Sequence, residues 1–461
     1  MLMLNPPNKA NKDNKIIISR VTFLLAIIIL APAWIFSYLI VCPQSLALLP
    51  PGCEVRDNQV FHKIEKGQNL YMLANKYLPL TNSYTPAHLV AELIRINSLK
   101  NTVLAIGMEL KIPVVRFSQS TAKTIPQKKE FVARGIYITG ISAGSERVLR
   151  LALHLKRLGG NTVVFDAKDM SGIVFYPSRI KLAEEIKATT RAPIRDIGKM
   201  ISQLHEKGIH VAARIVLFHD QLLAENRQDL AVRSRSTGST WLVRGKPAWV
   251  DPSLKEVQRY NLDLAKELTA LGVDEIQFDY IRFPAMGNTD DAEYSFDEKK
   301  VSKHEIITGF LKQAYRELHP LGVLVSIDVY GITIWEKETD VEIIGQKIED
   351  LARYTDIISP MLYPSHFAEY FGNKPVPADE PYYFVYSGCK KIAEVTKGTG
   401  VTIRPWLQAF PFRVTDFKED YILEQIKAAR AASTTGWLLW DADNSYEVAL
   451  RALHSLRNEN Y

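Results

Sequence analysis

From Phe131 to the C-terminus, eight short β-rich runs alternate with amphipathic helical stretches, and no other feature of the sequence constrains the fold as strongly. The runs are 135–139 (GIYIT), 162–169 (TVVFDAKD), 209–218 (IHVAARIVLF), 273–283 (VDEIQFDYIRF), 323–331 (VLVSIDVYG), 355–363 (TDIISPMLY), 401–410 (VTIRPWLQAF) and 436–443 (GWLLWDAD). Helices are expected between them at 145–158, 194–207, 254–271, 302–319, 340–353, 416–432 and 445–457. Strands that alternate with helices specify a parallel sheet covered by those helices. Eight such units fit a closed (β/α)8 TIM barrel with insertions better than an open sheet.

Period 2 assigns the faces of each strand. In DEIQFDY, Ile276 and Phe278 face the helices, which leaves Glu275, Gln277 and Asp279 facing the barrel axis. The same alternation sends Ser326 and Asp328 inward from strand five, Asp166 and Lys168 from strand two, Arg214 from strand three, and Arg404, Trp406 and Gln408 from strand seven. Polar groups at the C-terminal ends of strands lie where barrel active sites are built; the structural alternative is an ion network that fills the barrel mouth. Aromatic residues crowd the same rim: Trp241 and Trp249 in the insertion after strand three, and Trp335, Tyr363, Trp406 and Trp440 at or beyond strand ends. Flat aromatic faces stack on the apolar faces of sugar rings.

Composition narrows the function classes. Lys+Arg of 57 against Asp+Glu of 51 leaves a formal charge of +6 over 461 residues, too thinly spread to argue for nucleic acid. Cys42, Cys53 and Cys389 form no zinc spacing, and Cys42–Cys53 is the one bridge left open. No nucleotide, dinucleotide or H-E-x-x-H motif occurs, so neither a cofactor nor a metal is expected, although Asp166, Asp169 and Asp279 offer oxygen ligands. Gly140-Ile141-Ser142-Ala143-Gly144 reads as G-x-S-x-G, but only the first strand of the domain precedes it, which argues against a serine-hydrolase elbow.

The N-terminus points to export. Residues 21–41 carry no charge, and a helix of that length spans about 30 Å, the thickness of a bilayer core. Lys9, Lys12, Lys15 and Arg20 precede it against one acid, Asp13, so the positive-inside rule keeps 1–20 cytoplasmic and places the rest beyond the membrane. The expectation is a single-pass protein of the cell envelope, with a cleaved signal peptide as the alternative.

Residues 60–114 form a separate unit read as βααβ. Leu70, Leu73, Ala74 and Tyr77, then Leu89, Leu93 and Ile96, give two helices one apolar stripe each. With HKIEKGQNLYMLANKY, LIRIN and IGMELKIP in order, the segment resembles the LysM module; its departure is a longer connection, LPLTNSYTPAH, between the helices. The resemblance implies binding of N-acetylglucosamine-containing glycan, such as peptidoglycan, through loops around Gly67, Gln68, Asn69 and Leu70 and around Asn97, Ser98 and Leu99. The polar stretch 115–130 reads as a linker to the barrel domain, 131–461.

At DEIQFDYIRFP, together with GIYITGISAGS, VVFDAKDMSG, ARIVLFHDQLLAENRQDLAVR and PAWVDPSLKEVQRYNLDLAKEL, residues 133–443 become similar to a family of TIM-barrel domains assigned to glycoside hydrolysis by inference. The resemblance implies the barrel and suggests sugar chemistry without supplying a substrate. Glycoside hydrolysis needs two carboxyl groups flanking the scissile bond. Asp279 and Asp328, on neighbouring strands, are the expected pair, with Asp166 and Asp441 in reserve. Burial among Tyr280, Tyr330 and Trp406 is expected to raise one acid, while Arg282 or Lys168 keeps the other ionised. Asp166, Lys168, Arg214, Gln277, Arg282, Tyr363, Trp406, Gln408, Trp440 and Asp441 are the expected substrate contacts. The competing expectation is a catalytically silent glycan-binding scaffold.

Overall fold

The computed structural model describes residues 49–57, 59–114, 131–335 and 337–458. The chain divides into two units, Met1–Gln119 and Ser120–Tyr461. The expected membrane helix at 21–41 and the linker at 115–130 lie outside the described residues; among those described, no helix is long and apolar enough to cross a membrane.

In the first unit, helices Leu70–Tyr77 and Pro86–Ile96 pack on a three-stranded antiparallel sheet. Its first strand, Cys53–Arg56, pairs with Gln59–Lys63 and is additional to the expected βααβ; the third is Glu109–Ile112. That strand is nearly all exposed and so shows no apolar alternation for a pattern argument to detect. Each helix starts on a side-chain cap, Asn69 accepting from Met72 N and Thr85 from His88 N. Leu70, Leu73, Ala74, Tyr77, Leu89 and Leu93 form the shared core. The Cys53 thiol donates to Pro50 O at 3.0 Å, and Cys42, its expected partner, lies outside the described residues.

The second unit is a closed parallel barrel. Strands one to six are Ala133–Ile138, Thr162–Lys168, His210–Val216, Glu275–Asp279, Leu324–Tyr330 and Ile357–Met361. Strand seven is split by Pro405 into Thr402–Ile403 and Trp406–Gln408, and strand eight is Gly436–Trp440. Each pairs in parallel with its neighbour, and strand eight returns to strand one, which closes the barrel. All eight expected strands are present. An eighth major helix, Pro381–Val395, was not foreseen: Pro at its first position and a Tyr-, Phe- and Val-rich opening disguise it. Its buried Phe384, Val385, Gly388, Cys389 and Ile392 nonetheless keep the helical period. The single helix expected at 340–353 is two short ones, Lys337–Ile344 and Ile348–Leu351, separated at Gly345, whose φ of 77° favours glycine.

Candidate active site

Strand four sets the site. Glu275, Gln277 and Asp279 all point inward and are buried, as period 2 requires. At the lowest level Glu275 accepts from Arg404 and Ser326, and lies 3.0 Å from His210 Nε2. One level up, Gln277 Nε2 donates to Asp328 Oδ1 at 2.7 Å, and Trp406 Nε1 donates to the same oxygen at 2.7 Å. At the rim Asp279 Oδ2 accepts from Arg214 Nε at 3.0 Å and Nη2 at 2.6 Å, while Asp279 Oδ1 accepts from Tyr280 N at 2.6 Å. Arg214 Nη1 donates to Asp166 Oδ1 at 2.5 Å, and the Tyr137 hydroxyl donates to Asp166 Oδ2.

The two expected catalytic acids therefore sit in different electrostatic settings. The Arg214 guanidinium grips Asp279 through two N–H groups, a charge-assisted contact. Asp328 has no cation in contact, and its Oδ2 is buried without a partner. Burial and the charge of Asp279 raise its carboxyl well above the ordinary range, with Arg214 and the Trp406 hydrogen bond working against them. Because both donors act on Oδ1, the proton belongs on Oδ2.

A cavity of about 220 Å³ opens beside this pair. Arg214, Asp279, Arg282, Asp328, Tyr363, Trp406 and Trp440 line it, so seven of the twelve expected catalytic and substrate-contact residues are brought together. Its aromatic wall is Trp440 stacked on Tyr137 at 3.8 Å and set edge-on to Trp406 at 5.5 Å. Of the six rim aromatics, Tyr363, Trp406 and Trp440 reach the cavity. The others are used elsewhere: Trp241 donates to Asn288 O, Trp335 packs on Phe367 and Phe384, and Trp249 lies against Arg282.

Lys168 corrects the sequence reading most sharply. A register shift between Asp166 and Lys168 adds one residue to strand two, which places Lys168 level with Ile215 rather than on the inner face. Its ammonium donates to Asp220 at 2.6 Å and lies over the Tyr260 ring of the covering helix Lys255–Leu271. Lys168 is therefore paired with Asp220 and absent from the cavity lining, and the cation in contact with Asp279 is Arg214 rather than the expected Arg282 or Lys168. Asp441 is also turned away: its oxygens accept from Asp443 N and Ser445 N in the loop after strand eight. Gln408 ties loops through Ser365 N and Phe410 O, Gln277 lies beneath Asp328, and Asp166 lies behind Arg214.

The other chemistries lose their geometry. A guanidinium bridges Asp166 and Asp279, and Asp169 caps its own turn through Ser171, so these three acids do not converge on a common ion. In the G-x-S-x-G segment, a Cβ on Gly140 would fall 2.1 Å from Phe175 and one on Gly144 2.6 Å from Pro193; both glycines are there for packing, and Ser142 follows the Thr139 cap of a short helix.

The rest of the lining was not assigned from the sequence: Met361 at the end of strand six, and Met170, Gly331, Ile332, His366 and Phe367 beyond strand ends. Loop residues follow no period. Tyr280 takes a left-handed φ of 49°, a strained state for a bulky residue that turns the chain directly after Asp279.

In the first unit, several of the expected glycan-contact residues also hold the local fold. Asn97 clamps Lys111 through its N–H and carbonyl, Gln68 accepts from Glu65 N and lies 2.9 Å from His62 Nε2, and Leu70 is in the core. Gly67 and Ser98 occupy left-handed turns, Asn69 is a helix cap, and Leu99 packs against the core. Gly67, Asn69 and Ser98 are exposed, as are the large apolar side chains Val55, Tyr71, Met72, Val103 and Ile106.

Residues 135–446 match the family described as "Putative glycosyl hydrolase domain", and residues 62–113 match the LysM domain. A hypothetical protein from Ruminiclostridium thermocellum is 38% identical over 42% of this chain and 97% of its own, with a TM-score of 0.38. The PgaB (BpsB) glycoside hydrolase domain from Bordetella bronchiseptica is 13% identical over 70% of this chain and 98% of its own, with a TM-score of 0.54, a likeness of fold alone. The Bacillus cereus spore cortex-lytic enzyme SleL is 11% identical over 86% of each chain, with a TM-score of 0.43. No curated protein matches the chain.

Proposed function

Since the chain belongs to the family described as "Putative glycosyl hydrolase domain", we propose that its barrel cleaves glycosidic bonds in cell-wall or extracellular polysaccharide, with Asp328 as the acid and Asp279 as its ionised partner. The observation that carries this reading is the inequality of the two carboxyls. Asp328 is buried with one free oxygen beside a cavity, and Asp279 is locked to Arg214. A carboxyl raised by burial beside one paired with a guanidinium suits the first to donate a proton. A proton delivered from Asp328 Oδ2 to the glycosidic oxygen lets the leaving sugar depart as an alcohol, the charge of Asp279 stabilises the oxocarbenium-like centre that develops, and water then adds to the anomeric carbon and returns a proton to Asp328. Trp440 and Trp406 add aromatic surface to the cavity wall.

On the same proposal, residues 60–114 hold the protein on N-acetylglucosamine-containing glycan, and residues 21–41 anchor it in the membrane with both domains outside the cytoplasm. The hydrolase reading is tested by incubating the protein with peptidoglycan and a panel of polysaccharides and weighing released sugars by mass spectrometry. Release by the wild type and none by Asp328→Asn supports it; binding without release by either chain would leave a scaffold. Sedimentation with insoluble peptidoglycan, compared with a chain that begins at Lys128, tests the tether. Protease digestion of spheroplasts tests the topology.

A further inference from the structure

Four lysine and arginine side chains are buried among the described residues: Lys168, Arg214, Arg282 and Arg404. Three of them meet an acid, Lys168 at Asp220, Arg214 at Asp166 and Asp279, and Arg404 at Glu275. Arg282 meets none. Its side chain is 7% exposed, and its hydrogen bond within the protein runs from Nη1 to Phe283 O at 3.0 Å. The guanidinium carbon lies 5.1 Å from the Trp249 ring, 4.9 Å from Tyr280 and 5.5 Å from Tyr330. The nearby acid, Asp279, has both oxygens engaged, by Arg214 and by Tyr280 N.

Aromatic faces offset part of the cost of burying a cation, but they provide no counter-charge and no acceptor for the rest of its N–H fork. Arg282, Tyr280 and Tyr330 all line the cavity that holds Asp279 and Asp328, so the uncompensated charge faces the space a ligand would enter. We propose that this cavity takes a glycan unit bearing a carboxylate and that Arg282 is the group that receives it. The inference rests on the glycosidase reading and narrows its substrate class. A neutral sugar would leave the charge unanswered, whereas a carboxylate brings one negative charge and two coplanar oxygens that fit the fork. A dianion would place a second negative charge near Asp279 with no cation to meet it. The carboxylate is either that of a uronic acid ring or that of a lactyl ether on an amino sugar.

The test uses the full chain carrying Asp328→Asn, so that bound glycan is not consumed, and follows tryptophan fluorescence. Residues 49–114 contain no tryptophan, so the LysM unit is silent, and Trp249 stacks on Arg282 itself. The probes are hexuronate oligosaccharides, peptide-free muramyl oligosaccharides, and each of these after reduction of its carboxylates to alcohols. At least one acidic probe should bind about tenfold or more tighter than its reduced form, and which one does so identifies the source of the carboxylate. Adding Arg282→Met should collapse that ratio to near one, and Arg282→Lys should restore part of it. Equal binding of acidic and reduced probes overturns the inference, and this comparison still decides if Arg282→Met fails to fold. An acid preference in a protein whose wild type cleaves no glycan would sink the glycosidase reading and leave the anion site standing. Cleavage of acidic and reduced polymers at equal rates would do the reverse.

Discussion

Replacing Asp328 by Asn removes a proton equilibrium while leaving an oxygen for the Gln277 and Trp406 donors. In the wild type, burial and the charge of Asp279 raise the folded-state pKa well above its ordinary value. The folded protein therefore keeps a proton that the unfolded chain releases near pH 3.9. A raised pKa contributes stability that is fully present below the unfolded value and is lost as pH rises toward the folded one. Above the unfolded value the loss runs at up to about 1.4 kcal/mol per pH unit. Asp328→Asn carries no such dependence, so its stability relative to wild type should grow as the pH rises above that value. Denaturant titration followed by tryptophan fluorescence at three pH values measures it. Parallel stability curves would mean that Asp328 is already ionised in the folded protein, and the argument for it as the acid would fail. The same variant should lose cleavage by several orders of magnitude.

Arg214→Met should destabilise the barrel by about 3–5 kcal/mol, because it strands Asp166 and Asp279 as buried charges without their cation; a calorimetric melt little different from wild type would contradict this. Trp406→Phe removes a hydrogen bond that lowers the pKa of Asp328, so the alkaline limb of the pH–rate profile should move to higher pH, and a move to lower pH would reverse the assignment. Lys168→Met should cost about 3–5 kcal/mol by orphaning Asp220, with glycan affinity per folded molecule unaltered; weakened affinity in the folded variant would restore Lys168 to the site.

Period 2 located the polar interior because a barrel strand has only two faces, and Glu275, Gln277, Asp279, Ser326 and Asp328 all stand where alternation places them. Alternation failed at Lys168, where one extra residue in strand two shifts the register, and nothing in TVVFDAKD marks that bulge. The partner of Asp279 was misjudged for another reason: which arginine reaches an acid depends on strand stagger, and Arg214 lies level with Gln277, one step below the carboxylate it holds. Pattern also understated structural duty in the first unit, where the side chains of Gln68 and Asn97 are spent on holding backbone groups.

The stacked polar tiers inside the barrel limit how such a protein diverges. Every interior acid is answered by a donor from another strand, Glu275 by Arg404 and Ser326, Asp328 by Gln277 and Trp406, and Asp279 and Asp166 by Arg214. A single replacement in this column leaves a stranded charge or an empty donor, so a lineage can alter the column only by exchanging two members of a pair together. The βα loops carry no such debt. New specificities should therefore arise first at positions such as Met170, Ile332, His366 and Phe367, with the inner tiers inherited as a block.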